Sequence, residues 1–220
     1  SSRTNGRGLT LRDYEGAMST LCAGCGHDSV TAALVQSAWE LELEPHRVGK
    51  MSGIGCSSKT TAYFMKQSHG FNSVHGRMPS VTSGAAAANK GLTRGQFSAS
   101  ADIGSTSKKG EANEQAPIDP VLLALTLGCT FVARSFSGDK QQLVPILKAA
   151  IAHKGLALVD VISPCVSFND HEGSTKSYAY TREHEVEAVH ADFIPLKREI
   201  TVPETGEEVH VVEMHDGARV

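Results

Sequence analysis

Four of the five cysteines have a spacing that suits a bound metal. Cys22 and Cys25 form a Cys-x-x-Cys pair, and Cys56 and Cys165 stand alone farther along the chain. Thiolates grouped in this way bind zinc or an iron–sulfur cluster, and only the fold can bring the distant cysteines to the pair. Buried free cysteines with a chance pair, or a redox dithiol, are the alternatives. A redox dithiol leaves Cys56 and Cys165 unexplained, so we favour a metal centre.

Spacing alone leaves zinc and an iron–sulfur cluster both open. Structural zinc sites usually come from two compact knuckles close in sequence, whereas Cys56 and Cys165 are single, which counts against zinc. The fifth cysteine, Cys129, lies in the apolar stretch 127–131 and is expected to be an ordinary core residue.

Two further segments have the composition of anion-binding loops. Residues 53–59 are small and polar, and backbone N–H groups at the start of a helix bind phosphate, although a bare glycine turn has the same composition. Lys59 is a candidate for holding a carboxylate, with a solvated surface lysine as the alternative. In residues 75–77, His75 and an arginine flank a glycine, which suits a phosphate site or a purely structural histidine.

Helix and strand patterns alternate along the chain and predict an α/β fold with parallel strands. The last predicted strand is an almost continuous apolar run, typical of a buried parallel strand. Pro145 argues that its helix begins late or bends. Helices are predicted over residues 27–43, from Ser57 or Ser58 as N-cap, over 121–127 behind Asp119 as N-cap, and along the apolar stripe 143–151; strands are predicted over 47–52, 130–135 and 156–162.

Cys56 and Cys165 each follow the carboxyl end of a predicted strand, where ligand sites of open α/β sheets gather. We expect them to meet in space for that reason. Residues 19–192 are predicted to form the binding domain, with a layered sheet and helices on both faces. Residues 1–18 are expected to form a tail, and residues 193–220 a small β-hairpin appendage.

Composition excludes some classes of function. The net charge of −3 gives no basic surface for nucleic acid. No apolar run approaches the roughly 20 residues of a membrane span, and the N-terminus has no signal-peptide stretch. An odd number of cysteines without a secretion signal predicts a reducing cytoplasm.

Five segments, in order, resemble the β subunit of 2-oxoacid:ferredoxin oxidoreductases. They are Leu-Cys-Ala-Gly-Cys-Gly-His at 21–27, Ser-Gly-Ile-Gly-Cys-Ser-Ser-Lys at 52–59, His-Gly-Arg at 75–77, Gly-Leu-Thr-Arg-Gly-Gln-Phe-Ser at 91–98 and Ile-Ser-Pro-Cys at 162–165. The similarity extends from about residue 19 to about residue 180.

The resemblance implies an enzyme with thiamine diphosphate, Mg²⁺ and one [4Fe-4S] cluster. Such an enzyme decarboxylates a 2-oxoacid, passes electrons to ferredoxin and delivers the acyl group to coenzyme A, or runs in reverse. The segments 91–96 and 163–165 favour the 2-oxoglutarate type. The resemblance also implies an α subunit that completes the active site, in a heterotetramer of two α and two β subunits.

The resemblance further implies roles for individual residues. Lys59 is the expected partner of the substrate carboxylate. The expected cluster ligands are Cys22, Cys25, Cys56 and Cys165, and the expected thiamine diphosphate contacts are Ile54, Gly55, Cys56, Ser57, His75, Gly91 and Leu92.

One departure from the family is serious. Its Gly-Asp-Gly-Asp stretch and a later asparagine, which hold Mg²⁺ and the diphosphate, do not occur here, and the resemblance jumps between Lys90 and Arg94. The lost piece would be a few dozen residues with central strands, and its loss would leave a hole in the core and exposed strand edges. We therefore favour residues omitted from the sequence over a genuine deletion. If the chain is continuous there, a cluster-carrying electron-transfer or assembly subunit without thiamine chemistry is the alternative.

Overall fold

Helices and parallel strands alternate in the structure, a computed structural model that describes residues 3–74, 77–88, 118–167 and 169–184. Two short 3-10 helices, Leu11–Tyr14 and Pro45–Arg47, accompany them. In chain order the elements of these ranges are α1 (Gly26–Glu40), β1 (Gly49–Ser52), α2 (Ser57–Thr60), β2 (His69–Asn72), α3 (Met78–Ala88), α4 (Pro120–Thr126), β3 (Phe131–Phe136), α5 (Lys140–Ala152), β4 (Ala157–Ile162) and α6 (Tyr178–His184).

The described strands form two parallel pairs. β1 pairs with β2 from Gly49 opposite His69, and β3 pairs with β4 from Phe131 opposite Ala157. The predicted α/β class with parallel strands is confirmed. Cys56 and Cys165 follow the carboxyl ends of β1 and β4, as predicted.

Helix α1 contributes residues to two apolar clusters, one on each of two faces. One face packs against the N-terminal segment with Val48 and Met65, and the other packs against α5. The first cluster is Tyr14, Val35, Ala38, Val48 and Met65, and the second is Val30, Ala33, Leu143, Val144 and Leu147. Two polar contacts reinforce the α1–α5 junction. Ser37 Oγ donates to Val144 O at 3.4 Å, and Lys148 Nζ lies 2.8 Å from Glu40 Oε2.

A cavity of about 190 Å³ separates the two strand pairs. Its walls come from α1, β1, α5 and β4, and they are mainly apolar, with Leu34, Met51, Leu147, Val159 and Val161 among them. In the described part of the chain, β1 and β4 each have a strand partner on one side only.

Three details of the predicted elements are wrong. Strand β4, predicted as buried, is half-buried along all six residues, and three of them, Ala157, Val159 and Val161, line the cavity. Helix α5 does not start late, because Asp139 caps it at Lys140 and Pro145 removes only one internal hydrogen bond near the N-terminus. Helix α2 is preceded by Cys56 in helical conformation, without a serine side chain as cap.

Other predictions for single residues and segments have clear outcomes. Asp119 caps α4 through the N–H groups of Val121 and Leu122, as predicted. Cys129 is a core residue, 8% exposed, with its Sγ 3.1 Å from Leu156 O. The hairpin expected at 193–220 lies outside the described residues. Within the described ranges, none of the helices has the length and apolar character needed to cross a membrane.

Candidate functional site

The Cys-x-x-Cys loop contacts the loop that follows β4. Gly26 N donates to Pro164 O at 3.3 Å, and Cys22 Sγ lies 3.7 Å from Ser167 Oγ. Tyr178, at the start of α6, adds a hydrogen bond from its hydroxyl to Gly24 O at 3.2 Å. The fold therefore brings Cys22 and Cys25 to the end of β4 that Cys165 follows.

A turn after Cys165 fixes the backbone of that cysteine. Asn169 accepts a hydrogen bond from Cys165 N through its side chain, and it donates its own N–H to Cys165 O at 2.9 Å. Asp170 N also donates to Cys165 O at 3.0 Å, and its carboxylate accepts from Tyr178 N at 2.9 Å. Sequence analysis missed these residues, although an Asn-Asp pair after a strand is a turn signal.

Three of the four predicted ligands share one electrostatic environment. Burial raises the pKa of the Cys25 thiol, and charge on Cys165 and Cys56 raises it further, against a hydrogen bond involving His27 that lowers it. Cys25 is buried, Cys165 is half-buried, and Cys22 and Cys56 are exposed. Among the described residues, no group of three His, Cys, Asp or Glu side chains is arranged to hold a single metal ion.

Two buried hydroxyl groups face the residue after Cys25. Ser137 and Ser163 stand just beyond β3 and β4, and within the described ranges their Oγ atoms have no hydrogen-bond partner. A Cβ at position 26 would lie 2.6 Å from Ser137 Oγ and 2.3 Å from Ser163 Oγ, so glycine alone fits there. Hydroxyl donors near a cysteine loop suit an iron–sulfur cluster, whose sulfurs accept hydrogen bonds. These donors next to Gly26 are compatible with the cluster that the resemblance implies.

The loop between β1 and α2 is open. Ile54 is 49% exposed, Gly55 has φ of +114°, and a Cβ built on Gly53 or Gly55 meets nothing within 4 Å. Ser57 lines the cavity, and Lys59 is exposed. An exposed glycine loop at a strand end leaves room for a phosphate-bearing cofactor to approach the backbone.

A buried lysine that sequence analysis missed lies beneath this loop. Lys50, on β1, is 5% exposed, and its Nζ donates to Thr61 O at 2.6 Å, to Phe64 O and to Met65 O at 3.1 Å. The Nζ also lies 4.6 Å from the centroid of the Phe64 ring. Burial lowers the pKa of Lys50 to about 8. A lone lysine in a short strand gives no sequence signal for such a contact.

Three predicted cofactor contacts, His75, Gly91 and Leu92, lie outside the described residues. The roles expected for Ile54, Gly55, Cys56, Ser57 and Lys59 stay predictions. The Gly-Asp-Gly-Asp stretch that the resemblance associates with Mg²⁺ does not occur in the sequence, so no residue of this chain is assigned to Mg²⁺.

Comparison with known families gives one match within the chain. Residues 88–161 match the family described as thiamine pyrophosphate enzyme, C-terminal TPP binding domain. The matched range contains β3, α5 and most of β4.

Three curated relatives, which align with 68–76% of this chain, are named as a β subunit or as KorB. A 2-oxoacid:ferredoxin oxidoreductase subunit beta of Saccharolobus solfataricus is 31% identical over 76% of this chain and 68% of its own length. Subunit beta of 2-oxoacid:ferredoxin oxidoreductase 1 of Aeropyrum pernix is 34% identical over 69% of this chain and 60% of its own. The 2-oxoglutarate oxidoreductase subunit KorB of Mycobacterium tuberculosis is 30% identical over 68% of this chain and 51% of its own.

A solved structure has the same fold. It is a 2-oxoglutarate:ferredoxin oxidoreductase from Magnetococcus marinus with 2-oxoglutarate, coenzyme A and succinyl-CoA bound. The TM-score is 0.69 at 23% identity, over 83% of this chain and 76% of that one.

The alignment with the Saccharolobus relative contains more positions than the number of residues of this chain that take part in it. The chain spans about half to two thirds of the length of these curated relatives. The Saccharolobus alignment extends over 208 residues but uses 76% of the 220 residues here, about 167, so about 41 aligned positions have no residue in this chain.

Proposed function

The chain belongs to the family of 2-oxoacid:ferredoxin oxidoreductase β subunits, and from this membership we propose that it oxidatively decarboxylates a 2-oxoacid to an acyl-CoA. 2-Oxoglutarate is the proposed substrate, supported by the names of the Mycobacterium relative and of the Magnetococcus structure. The reverse reductive carboxylation is the same chemistry. The observation that carries the proposal is the contact between the loops of Cys22, Cys25 and Cys165 at the carboxyl end of β4.

Different residues of the chain are proposed to bind the cluster, thiamine diphosphate and the substrate. Cys22, Cys25, Cys56 and Cys165 would hold a [4Fe-4S] cluster, and Ile54, Gly55, Cys56 and Ser57, with His75, Gly91 and Leu92, would contact thiamine diphosphate. When bound, thiamine diphosphate stabilises the carbanion of decarboxylation, and the cluster transfers single electrons. Lys59 is placed on an exposed helix turn three residues after Cys56, where its ammonium can orient a substrate carboxylate.

The proposal includes a segment that this sequence lacks. We place about 41 further residues between Lys90 and Arg94, at the jump in the resemblance, and they would carry the Mg²⁺ ligands and central strands. The unmatched aligned positions support the existence of such a segment. The one-sided edges of β1 and β4 and the apolar cavity between them support a location between the two strand pairs. Parallel strands inserted there would join both pairs into one sheet and fill the cavity.

The proposed assembly has an α subunit, ferredoxin and coenzyme A as partners. The names of the relatives support an α subunit, since each is called a β subunit or KorB. We propose a heterotetramer of two α and two β subunits. The cysteine content favours the cytoplasm, where thiols stay reduced and available to a cluster.

The test is metal analysis and turnover of the protein co-expressed with its α subunit. We expect iron, sulfide and thiamine diphosphate, and reduction of ferredoxin that depends on both 2-oxoglutarate and coenzyme A. Cys56→Ser should lose the cluster and at least tenfold of the turnover. Cys129→Ser is the matched control, since Cys129 is a core residue whose sulfur contacts only backbone carbonyls among the described atoms.

The second candidate function is a cluster-carrying electron-transfer or assembly subunit without thiamine chemistry. The missing Gly-Asp-Gly-Asp stretch favours it. Iron and sulfide without thiamine diphosphate or 2-oxoacid oxidation would establish this candidate in place of the first. Zinc in a colourless protein would contradict both.

A further inference from the structure

The Lys50 ammonium is buried without a carboxylate beside it. Among the described residues, no Asp or Glu forms an ion pair with Lys50, and its Nζ donates to the carbonyl oxygens of Thr61, Phe64 and Met65. An ammonium has three N–H donors, so each carbonyl receives one. The arrangement resembles a small cation held by a ring of carbonyl groups.

Two of these carbonyls depend on Lys50. In the described part of the chain, no other hydrogen bond reaches Thr61 O or Phe64 O, whereas Met65 O also accepts from Ser68. Thr61 and Phe64 are half-buried, and a carbonyl shielded from water without a donor is costly, so loss of the Lys50 donor would destabilise this conformation of segment 61–65. Backbone hydrogen bonds such as Met65 N to Tyr14 O also hold the segment. Met65 also has a positive φ of 44°, which a non-glycine residue adopts only under outside constraint.

The contact between Lys50 and Thr61 closes a loop that contains the predicted ligand Cys56. The two residues are 11 positions apart, and Lys59 lies within the same loop. Backbone hydrogen bonds link Cys56 to the end of this loop. Lys59 N donates to Cys56 O at 3.2 Å, and Ala62 N donates to Lys59 O at 3.0 Å. Fixing both ends of a short loop reduces the conformations open to its middle.

We propose that Lys50 is a positioning residue that fixes the loop of Cys56 and Lys59 through its ring of carbonyls. The role in cluster binding rests on the proposed function, whereas the role in loop order does not. Lys66, on the same segment, is exposed and serves as the comparison.

The test compares Lys50→Met with wild type and with Lys66→Met as the matched control. In metal-free protein we expect amide hydrogen exchange of residues 56–65 to rise about tenfold in Lys50→Met, with α1 unchanged. In cluster-loaded protein we expect iron loss to a chelator to accelerate about tenfold, and the electron paramagnetic resonance signal of the reduced cluster to change. Lys50→Arg, which keeps a cation, should restore most of both.

Each outcome decides the proposal. The proposal would be overturned if amide hydrogen exchange of residues 56–65 in Lys50→Met were as slow as in wild type. It would also be overturned if exchange in α1 rose by the same factor. A cluster with unchanged iron loss and resonance signal would overturn the role in cluster binding. If Lys50→Met does not fold, Lys50→Gln, whose amide keeps two donors, takes its place in the exchange measurement. Absence of iron from wild-type protein would overturn the proposed function, and the exchange result would still decide the role of Lys50 in the loop.

Discussion

At the scale of single residues, Gly26 shows how little space separates the cysteine loops. A methyl group at this position would meet Ser137 Oγ and Ser163 Oγ, and Ser163 Cα at 3.2 Å. We expect Gly26→Ala to lower the free energy of unfolding by about 1–3 kcal/mol, the usual cost of overpacking. Urea denaturation measures it.

The control for this prediction is Gly53→Ala, because a Cβ at position 53 meets nothing within 4 Å. Equal losses in the two variants would show that backbone flexibility, not the contact with the serines, is responsible.

Lys50 gives stability a dependence on pH. Its pKa is lowered by burial from 10.5 to about 8, so between these values the unfolded chain holds more protons than the folded chain. The free energy of unfolding should therefore rise with pH across this window, by up to about 3 kcal/mol relative to Lys50→Met. Urea denaturation of both proteins at neutral pH and near pH 10 measures the difference, and parallel stability profiles would contradict the prediction.

At the scale of elements, the pair Glu40 and Lys148 joins α1 to α5. Burial tends to raise the pKa of Glu40, but hydrogen bonds from Lys148 and Gln36 outweigh it, so the pKa lies below 4.5. The stabilisation is therefore present above pH 4.5 and is lost as the pH falls through the folded pKa. We expect Glu40→Gln to cost about 1 kcal/mol at neutral pH.

Thermal denaturation of wild type and Glu40→Gln, at neutral pH and at pH values below 4.5, measures the contribution of this ion pair. Glu172→Gln is the control, because Glu172 is exposed. The loss from Glu40→Gln should disappear in acid. A loss of equal size at all pH values would show that packing, and not charge, is responsible.

The elements that the sequence predicted are those with strong local signals. Asp119 before proline identifies the start of α4, and apolar periodicity identifies α1 and α5. Strand β2 was missed because His69–Asn72 is exposed along its length and has no apolar pattern. The half-burial of β4 was not predictable from its own residues, because burial of a strand depends on what packs against its second edge and its faces.

At the scale of the whole molecule, the cavity between β1 and β4 bears on the length of the natural chain. We expect the protein isolated from its source to carry about 41 further residues between Lys90 and Arg94. Peptide mapping by mass spectrometry measures this, as peptides between these two residues that the sequence above does not contain. A peptide that joins Lys90 directly to Gly91 would show a genuine deletion.

The candidate site was predictable where topology decides it. Cysteines that follow parallel strands gather at the carboxyl edge, which predicts the positions of Cys56 and Cys165 after β1 and β4. Cys22 and Cys25 precede α1 and follow no described strand, so their contact with the loop of Cys165 needed the tertiary structure. Tyr178 and Lys50 were not predictable, since each acts through a backbone carbonyl that only the tertiary fold supplies. Asn169 acts within a local turn, and its signal was present in the sequence but missed.

The hydrogen bond from Tyr178 to Gly24 joins residues 154 positions apart. A ribosome releases Gly24 long before it has made Tyr178, so the loop of Cys22 and Cys25 stays unfastened during most of translation. Chains emerge from the N-terminus and fold as units once their partners are available. The cluster proposed for these cysteines would therefore be completed only after Tyr178 has been made, and a ribosome that stalls before Tyr178 would leave the thiols of Cys22 and Cys25 exposed.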